Sequence, residues 1–147
     1  MPSVTITPES PEGLLKEGPR LEVRFLISSG LEDKYKAEGK PLPEPVVVNA
    51  LIDTGASVSV IQKSIPEKLG LTPVGVTNIC TPSSKDHQCY QYFMRMHIPT
   101  HQLTYEGIFI GAPLDGQNIS CLIGRDILKD GMLIYIGVSN LFTFSLL

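Results

Sequence analysis

Residues 46–56 read Val-Val-Val-Asn-Ala-Leu-Ile-Asp-Thr-Gly-Ala, and Asp53 stands where this apolar run ends. The run is short and rich in β-branched residues, which predicts a buried strand. A carboxylate in apolar surroundings is unfavourable by several kcal/mol unless it is paired or hydrogen-bonded. Gly55 allows the backbone to turn sharply after the acid. On these residues alone two interpretations are equally open: Asp53 is a catalytic acid, or it caps a turn as Asp often does.

Short segments typical of strands lie on both sides of this stretch. The 13 glycines and 12 prolines imply many turns and little room for long helices. Alternating or short apolar runs predict strands at 21–28, 46–52, 58–61, 74–80, 88–98, 104–110, 121–123, 132–136 and 141–147. Short helices are expected at 64–69, with Ser64 as N-cap, and at 125–129. The pattern therefore predicts a mostly β fold.

Three other stretches lack a strand pattern. Residues 1–20 contain four prolines and no sustained periodicity of apolar residues, so we expect an N-terminal segment that is extended or loosely attached, ahead of a domain spanning residues 21–147. Residues 29–45 are rich in Gly, Lys, Glu and Pro and are expected to form a long solvated loop. Residues 81–87 are polar and are expected to join two strands into a projecting hairpin.

The composition argues against several classes of protein. The 12 Lys and Arg residues do not outnumber the 15 Asp and Glu residues, so no basic surface for nucleic acid is expected. Apolar runs are far shorter than the ~20 residues of a membrane-spanning helix. The first thirty residues show no secretory signal. We therefore expect a single-domain cytoplasmic protein that binds neither nucleic acid nor membranes.

The cysteines and histidines predict no metal and no other cofactor. Cys80, Cys89 and Cys121 lack the C-x-x-C spacing that would indicate zinc. A bridge between Cys80 and Cys89 across a hairpin is conceivable, but reduced thiols are the interpretation we favour. His97 and His101 are four residues apart, yet an intervening proline disfavours the helix that such a metal pair needs.

Three segments together resemble the retropepsin-like aspartic proteases, the single-lobe relatives of pepsin. The segments are Ala50-Leu-Ile-Asp53-Thr-Gly-Ala56, Gly107-Ile-Phe-Ile-Gly-Ala-Pro113 and Cys121-Leu-Ile-Gly-Arg-Asp-Ile-Leu128. Their order and spacing agree with the family over residues 46–128 and more loosely over 21–147. The resemblance implies an all-β fold: a retropepsin-like closed β-barrel with one or two short helices and a flap hairpin at 76–92, assembled as a homodimer.

The single Asp-Thr-Gly motif has a consequence for assembly. A two-carboxylate mechanism needs two acids that share a proton. The pairs Asp115-Gly116 and Asp130-Gly131 follow no buried strand and are interpreted as turns. If Asp53 is catalytic, its partner must be Asp53 of a second copy, related by a two-fold axis. We therefore expect a homodimeric aspartic endopeptidase with a bell-shaped pH profile and an acidic to near-neutral optimum.

The resemblance also assigns roles around the catalytic Asp53. The residues expected to support the active site are Thr54, Gly55, Ala56, Gly124 and Arg125. The residues expected to bind an extended peptide or protein substrate are Gly55, Ala56, Leu122 and Ile123. Thr54 would hydrogen-bond across the dimer axis, and Arg125 would tie the short helix to the site. Retroviral members hold this Arg with an acid shortly after the Ala, where this chain has Ser57 and Val58, so that ion pair is expected to be absent or replaced.

Three questions stay open at this level. The alternative function is a non-catalytic module of the same fold, used for dimerisation or peptide binding. Another possibility is a protease domain cut from a longer precursor. The apolar segment 141–147 either pairs with a second copy at the interface or is buried in its own sheet. Tyr90, Tyr92 and Phe93 are expected to pack beneath the flap rather than on a ligand.

Overall fold

The computed structural model describes residues 2–81, 84–99, 102–114 and 118–147, which form two β-sheets. Six strands of the larger sheet form a barrel, and in their order around it they are β2 (Arg20–Leu26), β3 (Val46–Ile52), β8 (Cys121–Ile123), β4 (Val60–Gln62), β7 (Leu103–Ala112) and β6 (Ser84–Ile98). The ring closes where β6 pairs back with β2, with Phe25 opposite Met96. A further strand, β5 (Gly75–Thr81), pairs with β6 outside the ring. The closed, mostly β barrel expected from the sequence is confirmed.

Apolar side chains fill the barrel because its strands alternate between inward and outward residues. Along β2, Leu21, Val23 and Phe25 are buried, whereas the residues between them are exposed. Phe25 meets Phe109 of β7 edge to face, with ring centroids 5.1 Å apart. This is a favoured geometry for aromatic pairs, and here it joins β2 to β7 within the core.

The smaller sheet contains both ends of the chain. Its order is β1 (Ser3–Ile6), β10 (Leu141–Leu146) and β9 (Gly131–Ile136). The central strand β10 buries Phe142 and Phe144 completely. Both of its edges are occupied, so residues 141–146 of the segment 141–147 pair within their own sheet and have no free edge for a second copy, whereas Leu147 is exposed.

The N-terminal residues are tied down more firmly than expected. Strand β1 buries Val4 and is followed by the helix α1 (Gly13–Glu17). The Asn140 side chain accepts a hydrogen bond from the Leu14 amide (3.0 Å) and donates one to the Ser10 carbonyl (2.9 Å). Strand pairing and these hydrogen bonds therefore attach the extended N-terminal residues to the rest of the chain. The division into 1–20 and 21–147 remains a prediction.

The described residues contain four short α-helices instead of one or two. The helices α3 (Ser64–Lys68) and α4 (Arg125–Leu128) lie where the sequence predicts them, although Lys63 and not Ser64 is the N-cap of α3. The helix α2 (Ser29–Ala37) replaces most of the expected loop at 29–45. None of the helices in the described part of the chain is long and apolar enough to cross a membrane.

Polar contacts hold α2 against the barrel, together with Leu31 and Tyr35, which are partly buried against the core. The Ser28 hydroxyl accepts a hydrogen bond from the Leu31 amide (3.2 Å) and so caps the helix. Glu32 pairs with Lys36 one turn later (3.3 Å) and with Arg95 of β6 (2.8 Å). The helix therefore packs on the outside of the barrel without a fully buried residue.

The projecting hairpin consists of β5 and β6. Strand β5 ends at Thr81 and strand β6 begins at Ser84, so most of the polar stretch 81–87 is strand. Residues 82 and 83 lie outside the described part. Cys89 faces Thr77 across the hairpin, so it is not opposite Cys80, and it is a free, buried cysteine. Tyr92 is buried as expected, whereas the side chains of Tyr90 (56%) and Phe93 (40%) are exposed.

Candidate active site

Strand β8 brings two distant sequence motifs to one place. It lies between β3 and β4, running parallel to β3 with Ile52 opposite Ile123 and antiparallel to β4. The ends of β3 and β8 therefore meet at the same edge, and Asp53 comes beside Gly124. Ala50 and Ile52 are buried, but Val47 is 51% exposed, so only the half of β3 next to Asp53 is the buried strand that was predicted.

Three hydrogen bonds fix the turn that carries Asp53. Its amide donates to the Ile123 carbonyl (2.9 Å), and its carbonyl accepts from the Ala56 amide (3.1 Å). Its side-chain Oδ1 accepts from the Gly55 amide (2.9 Å), which orients the carboxylate. Asp53 is half-buried, whereas Thr54 and Gly55 are exposed. Asp53 thus does cap a turn, and it also presents an oriented carboxylate at the protein surface.

The second motif supports this turn from behind. The Arg125 amide donates to the Ala56 carbonyl (2.9 Å), and its guanidinium Nη1 donates to the Thr54 carbonyl (2.7 Å). A Cβ atom at Gly124 would lie 2.7 Å from the carbonyl oxygen of Val58, so only glycine allows the two segments to approach this closely. Arg125 therefore ties α4 to the Asp53 turn through a backbone carbonyl.

A hydrogen-bonded pair of polar residues beside the turn, the buried Ser59 and the half-buried Asp126, was not found by sequence analysis. The side chain of Ser59 is fully buried and donates from Oγ to Asp126 Oδ1 (2.7 Å), while its amide donates to Asp126 Oδ2 (3.0 Å). The Gly124 amide in turn donates to Ser59 Oγ (2.9 Å). The pair links the start of β4 to the start of α4. The only sequence signal was the Asp in the Gly-Arg-Asp motif, to which no role had been assigned.

The two residues expected to line the substrate pocket have different environments. Leu122 is half-buried and packs against an apolar cluster that includes Val60, Cys89 and Ile110. Burial raises the pKa of the Cys89 thiol. Ile123 is fully buried in the barrel core, so its side chain cannot reach a substrate. It supports the site through its carbonyl instead.

Other candidate residues lie away from the Asp53 turn. Asp130 is in the turn between α4 and β9, whereas Asp115 and Gly116 lie outside the described residues. His97 Nδ1 is 2.8 Å from Thr104 Oγ1, and His101 is also outside the described part. Within the described ranges, no group of three or more His, Cys, Asp or Glu residues is arranged to hold a metal ion.

Comparison with solved structures identifies similar folds. The chain is similar to a retropepsin-like aspartic protease from Rickettsia conorii, with 14% identity and a TM-score of 0.57, over 98% of this chain and 90% of that chain. It also matches the simian foamy virus (mac) protease at 14% identity (TM-score 0.44, 74% of this chain and 92% of that chain). The inhibitor-bound EIAV protease matches at 18% identity (TM-score 0.42, 79% and 89%).

Comparison with models of sequence families shows to which family the chain belongs. No curated protein sequence matches the chain significantly. The family model of the retroviral aspartyl proteases matches residues 16–134, which include every residue expected at the site. The Rickettsia structure shows the same fold over nearly the whole chain. The chain therefore belongs to the retroviral aspartyl protease family.

Proposed function

We propose that the protein is an aspartic endopeptidase in which Asp53 acts together with Asp53 of a second copy. The observation that carries the proposal is the Asp53 turn, which presents one oriented, half-buried carboxylate within a retropepsin-like barrel. Asp126, the acid within the second motif, is not the second catalytic carboxylate of this proposal, because its oxygens accept hydrogen bonds from Ser59 and Ile127. A single chain thus supplies one half of a two-carboxylate site.

Two such carboxylates close together can share one proton, because like charges at short range raise the pKa of one of them. The ionised Asp53 accepts a proton from a water molecule, whose oxygen attacks the scissile carbonyl carbon. The protonated Asp53 of the other copy donates to the carbonyl oxygen, which gives a tetrahedral diol. Collapse of the diol returns the carbonyl, breaks the C–N bond and transfers a proton to the departing amine.

The remaining site residues position this pair and the substrate. Thr54 is exposed at the tip of the turn, where it is free of the barrel and available for a bond across a two-fold axis. Gly55 follows at the surface and offers its backbone carbonyl to an extended peptide, and Ala56 shapes the floor of the pocket. Leu122 lines the pocket beside them, and the hairpin of β5 and β6 forms the flap above it.

The first experiment is cleavage of a mixed peptide library between about pH 3.5 and 7.5. Asp53→Asn is expected to reduce cleavage by at least about a hundredfold, because it removes the acid and the base together. Asp33→Asn serves as the matched control, since Asp33 is an exposed carboxylate on α2. No cleavage by a dimeric wild-type protein, or a rate that rises steadily to about pH 9, would contradict the proposal and favour a non-catalytic binding module.

Mixing of subunits tests whether two copies share one site. When wild-type and Asp53→Asn chains are mixed equally and allowed to exchange, about one quarter of the dimers contain two Asp53 residues. We expect the rate per wild-type chain to fall to about half of its unmixed value. An unchanged rate per wild-type chain would show that each chain acts alone.

A further inference from the structure

A groove with a volume of about 330 Å³ lies between α2 and the segment that leads from α3 into β5. One wall is a single face of the helix, because Ser28, Leu31 and Tyr35 follow one another at intervals of three and four residues. Phe93 of β6 also lines the groove. The residues of the opposite wall are Gly70, Leu71, Thr72 and Val74. None of these residues belongs to the Asp53 turn or to the apolar cluster around Leu122.

Both walls are held in place by contacts within the chain. Helix α2 is fixed to the barrel at its first turn, where Ser29 Oγ donates to Glu106 Oε2 (3.0 Å). The opposite wall begins with a sharp turn at Gly70, whose φ of +66° favours glycine. The Leu71 amide then donates to the Pro66 carbonyl (3.0 Å). The groove is therefore formed before any ligand enters it, as is usual for small-molecule sites.

The lining of the groove is mainly apolar. Five of its eight residues are Leu31, Tyr35, Leu71, Val74 and Phe93. Val74 and Phe93 are 61% and 40% exposed, although both have large apolar side chains. Apolar side chains that stay exposed around a concave surface are typical of a binding site.

The absence of charge among the lining residues restricts the chemistry of the ligand. Two other cavities in the described part of the chain do have charged linings. Glu22 and Arg24 line one of about 180 Å³, whereas Glu32 and Arg95 line one of about 240 Å³. In the groove beside α2, a charged ligand would lose hydration without meeting an opposite charge among the lining residues. An uncharged ligand is consequently the better match.

We propose that this groove binds an uncharged aromatic molecule and that the bound molecule restrains the base of the β5–β6 hairpin. Tyr35 and Phe93 provide two rings for stacking or edge-to-face contacts. The volume is roughly twice that of a cavity of about 150 Å³ that accepts benzene, so it matches a molecule of two or three rings.

The restraint follows from where the lining residues lie on the hairpin. Val74 directly precedes β5, and its amide donates to the Gln91 carbonyl of β6 (2.8 Å). Phe93 follows two residues after Gln91 on the same strand. A molecule between these residues and α2 therefore joins the base of the hairpin to a helix that is fixed to the barrel. Because the hairpin is the flap of the proposed protease, an effect on cleavage, unlike the site itself, rests on the proposed function.

Titration with N-phenylnaphthylamine tests the site, because this three-ring probe is uncharged and becomes fluorescent in apolar surroundings. We expect saturable binding to the wild-type protein. Anilinonaphthalene sulfonate is the matched control ligand, since it has the same rings and one added negative charge. It is expected to bind at least about tenfold more weakly. No saturable binding of the uncharged probe, or equal affinity for the two probes, would overturn the proposal.

Substitutions in the groove test where the probe binds. Val74→Lys places an ammonium at the edge of the groove, and Phe93→Ser removes one ring, so each is expected to weaken binding at least about fivefold. Val138→Lys is the matched control, because Val138 is 99% exposed between β9 and β10 and does not line the groove. Val74 is at the surface, so Val74→Lys stays informative even if Phe93→Ser does not fold. Binding to Val74→Lys as tight as to Val138→Lys would overturn the proposed location.

Hydrogen exchange tests the restraint of the hairpin without relying on enzymatic activity. Saturating N-phenylnaphthylamine is expected to slow amide exchange in β5 at least about threefold in the wild-type protein, because binding favours the closed form of the segment. The same addition should leave exchange in β5 of Val74→Lys nearly unchanged. Unaltered exchange in a wild-type protein that is saturated with the probe would contradict the restraint.

Cleavage of the peptide library tests the consequence for the flap. The saturated wild-type protein is expected to cleave at least about twofold more slowly, because a flap has to move to admit a substrate. Slowed exchange in a protein that cleaves no peptide would support the ligand site and contradict the protease. Cleavage that depends on Asp53, in a protein that binds no probe, would support the protease and overturn the ligand site.

Discussion

Ser59→Ala removes one oxygen atom from a completely buried side chain that is paired with the half-buried Asp126 beside the Asp53 turn. That oxygen donates to Asp126 Oδ1 at 2.7 Å and accepts from the Gly124 amide at 2.9 Å. The variant keeps the backbone and the Cβ atom, so its effect reports on these two hydrogen bonds. We expect Ser59→Ala to be clearly destabilised even though the side chain is small.

The size of the destabilisation follows from the two hydrogen-bond partners that Ser59→Ala leaves without the serine oxygen. A hydrogen bond to a charged group contributes about 1.5–3 kcal/mol, and a buried donor without a partner costs about 1–3 kcal/mol. The Asp126 carboxylate keeps its bonds to the amides of Ser59 and Ile127, which limits its loss. The Gly124 amide is buried and loses the serine oxygen. Together these effects give a decrease of about 2–4 kcal/mol in the free energy of unfolding.

Urea unfolding at one fixed protein concentration measures this difference, because the stability of a dimer depends on concentration. Thermal unfolding should show a decrease of about 5–12 °C. Ser57→Ala is the matched control, since Ser57 lies two residues away in the same segment but is exposed. Equal unfolding midpoints for Ser59→Ala and Ser57→Ala would refute the reasoning.

Two further substitutions test other parts of the structure. Gly124→Ala would place a Cβ atom 2.7 Å from the Val58 carbonyl oxygen, so we expect a loss of about 1–3 kcal/mol in urea unfolding; a neutral effect would contradict the tight approach of the two motifs. The Arg95 hydrogen bond holds the pKa of Glu32 below its ordinary value. A lowered folded pKa stabilises the protein above the unfolded pKa and loses its effect as pH falls through the folded value. Glu32→Gln should therefore cost up to about 1 kcal/mol at neutral pH and nothing well below about pH 4, and a constant difference at both pH values would contradict this ion pair.

The strand pattern of the fold could be predicted because it depends on local sequence. The alternation in β2 and the apolar runs of β3 and β8 follow directly from residues two apart or adjacent. The helix α2 was missed because it buries no residue fully and has no broad apolar face. Its local signals, the Ser28 cap and the Glu32–Lys36 pair, were present in the sequence. Its bond to Arg95 depends on tertiary structure and could not be read locally.

The candidate site likewise contains one residue that the sequence predicts and others that only the structure reveals. Asp53 stands out because an acid after a buried strand is unfavourable unless it has a special role. The role of Ser59 could not be predicted, because its partner Asp126 is 67 residues away and reaches it only through the pairing of β4 with β8. The exposure of the β9 edge is likewise decided by the position of β10, since either strand had enough apolar residues to be the central one.

The hydrogen bonds around Asp53 show what one chain provides and leave for the proposed dimer what a second copy adds. The turn is held within the chain by the Ile123 carbonyl, the Gly55 amide and the Arg125 side chain. None of these bonds needs a partner, so dimerisation is not required to shape the turn. In the proposed mechanism, dimerisation supplies the second carboxylate, with which Asp53 shares a proton. A substitution at Ser59 should therefore act through the stability of each chain and not through assembly.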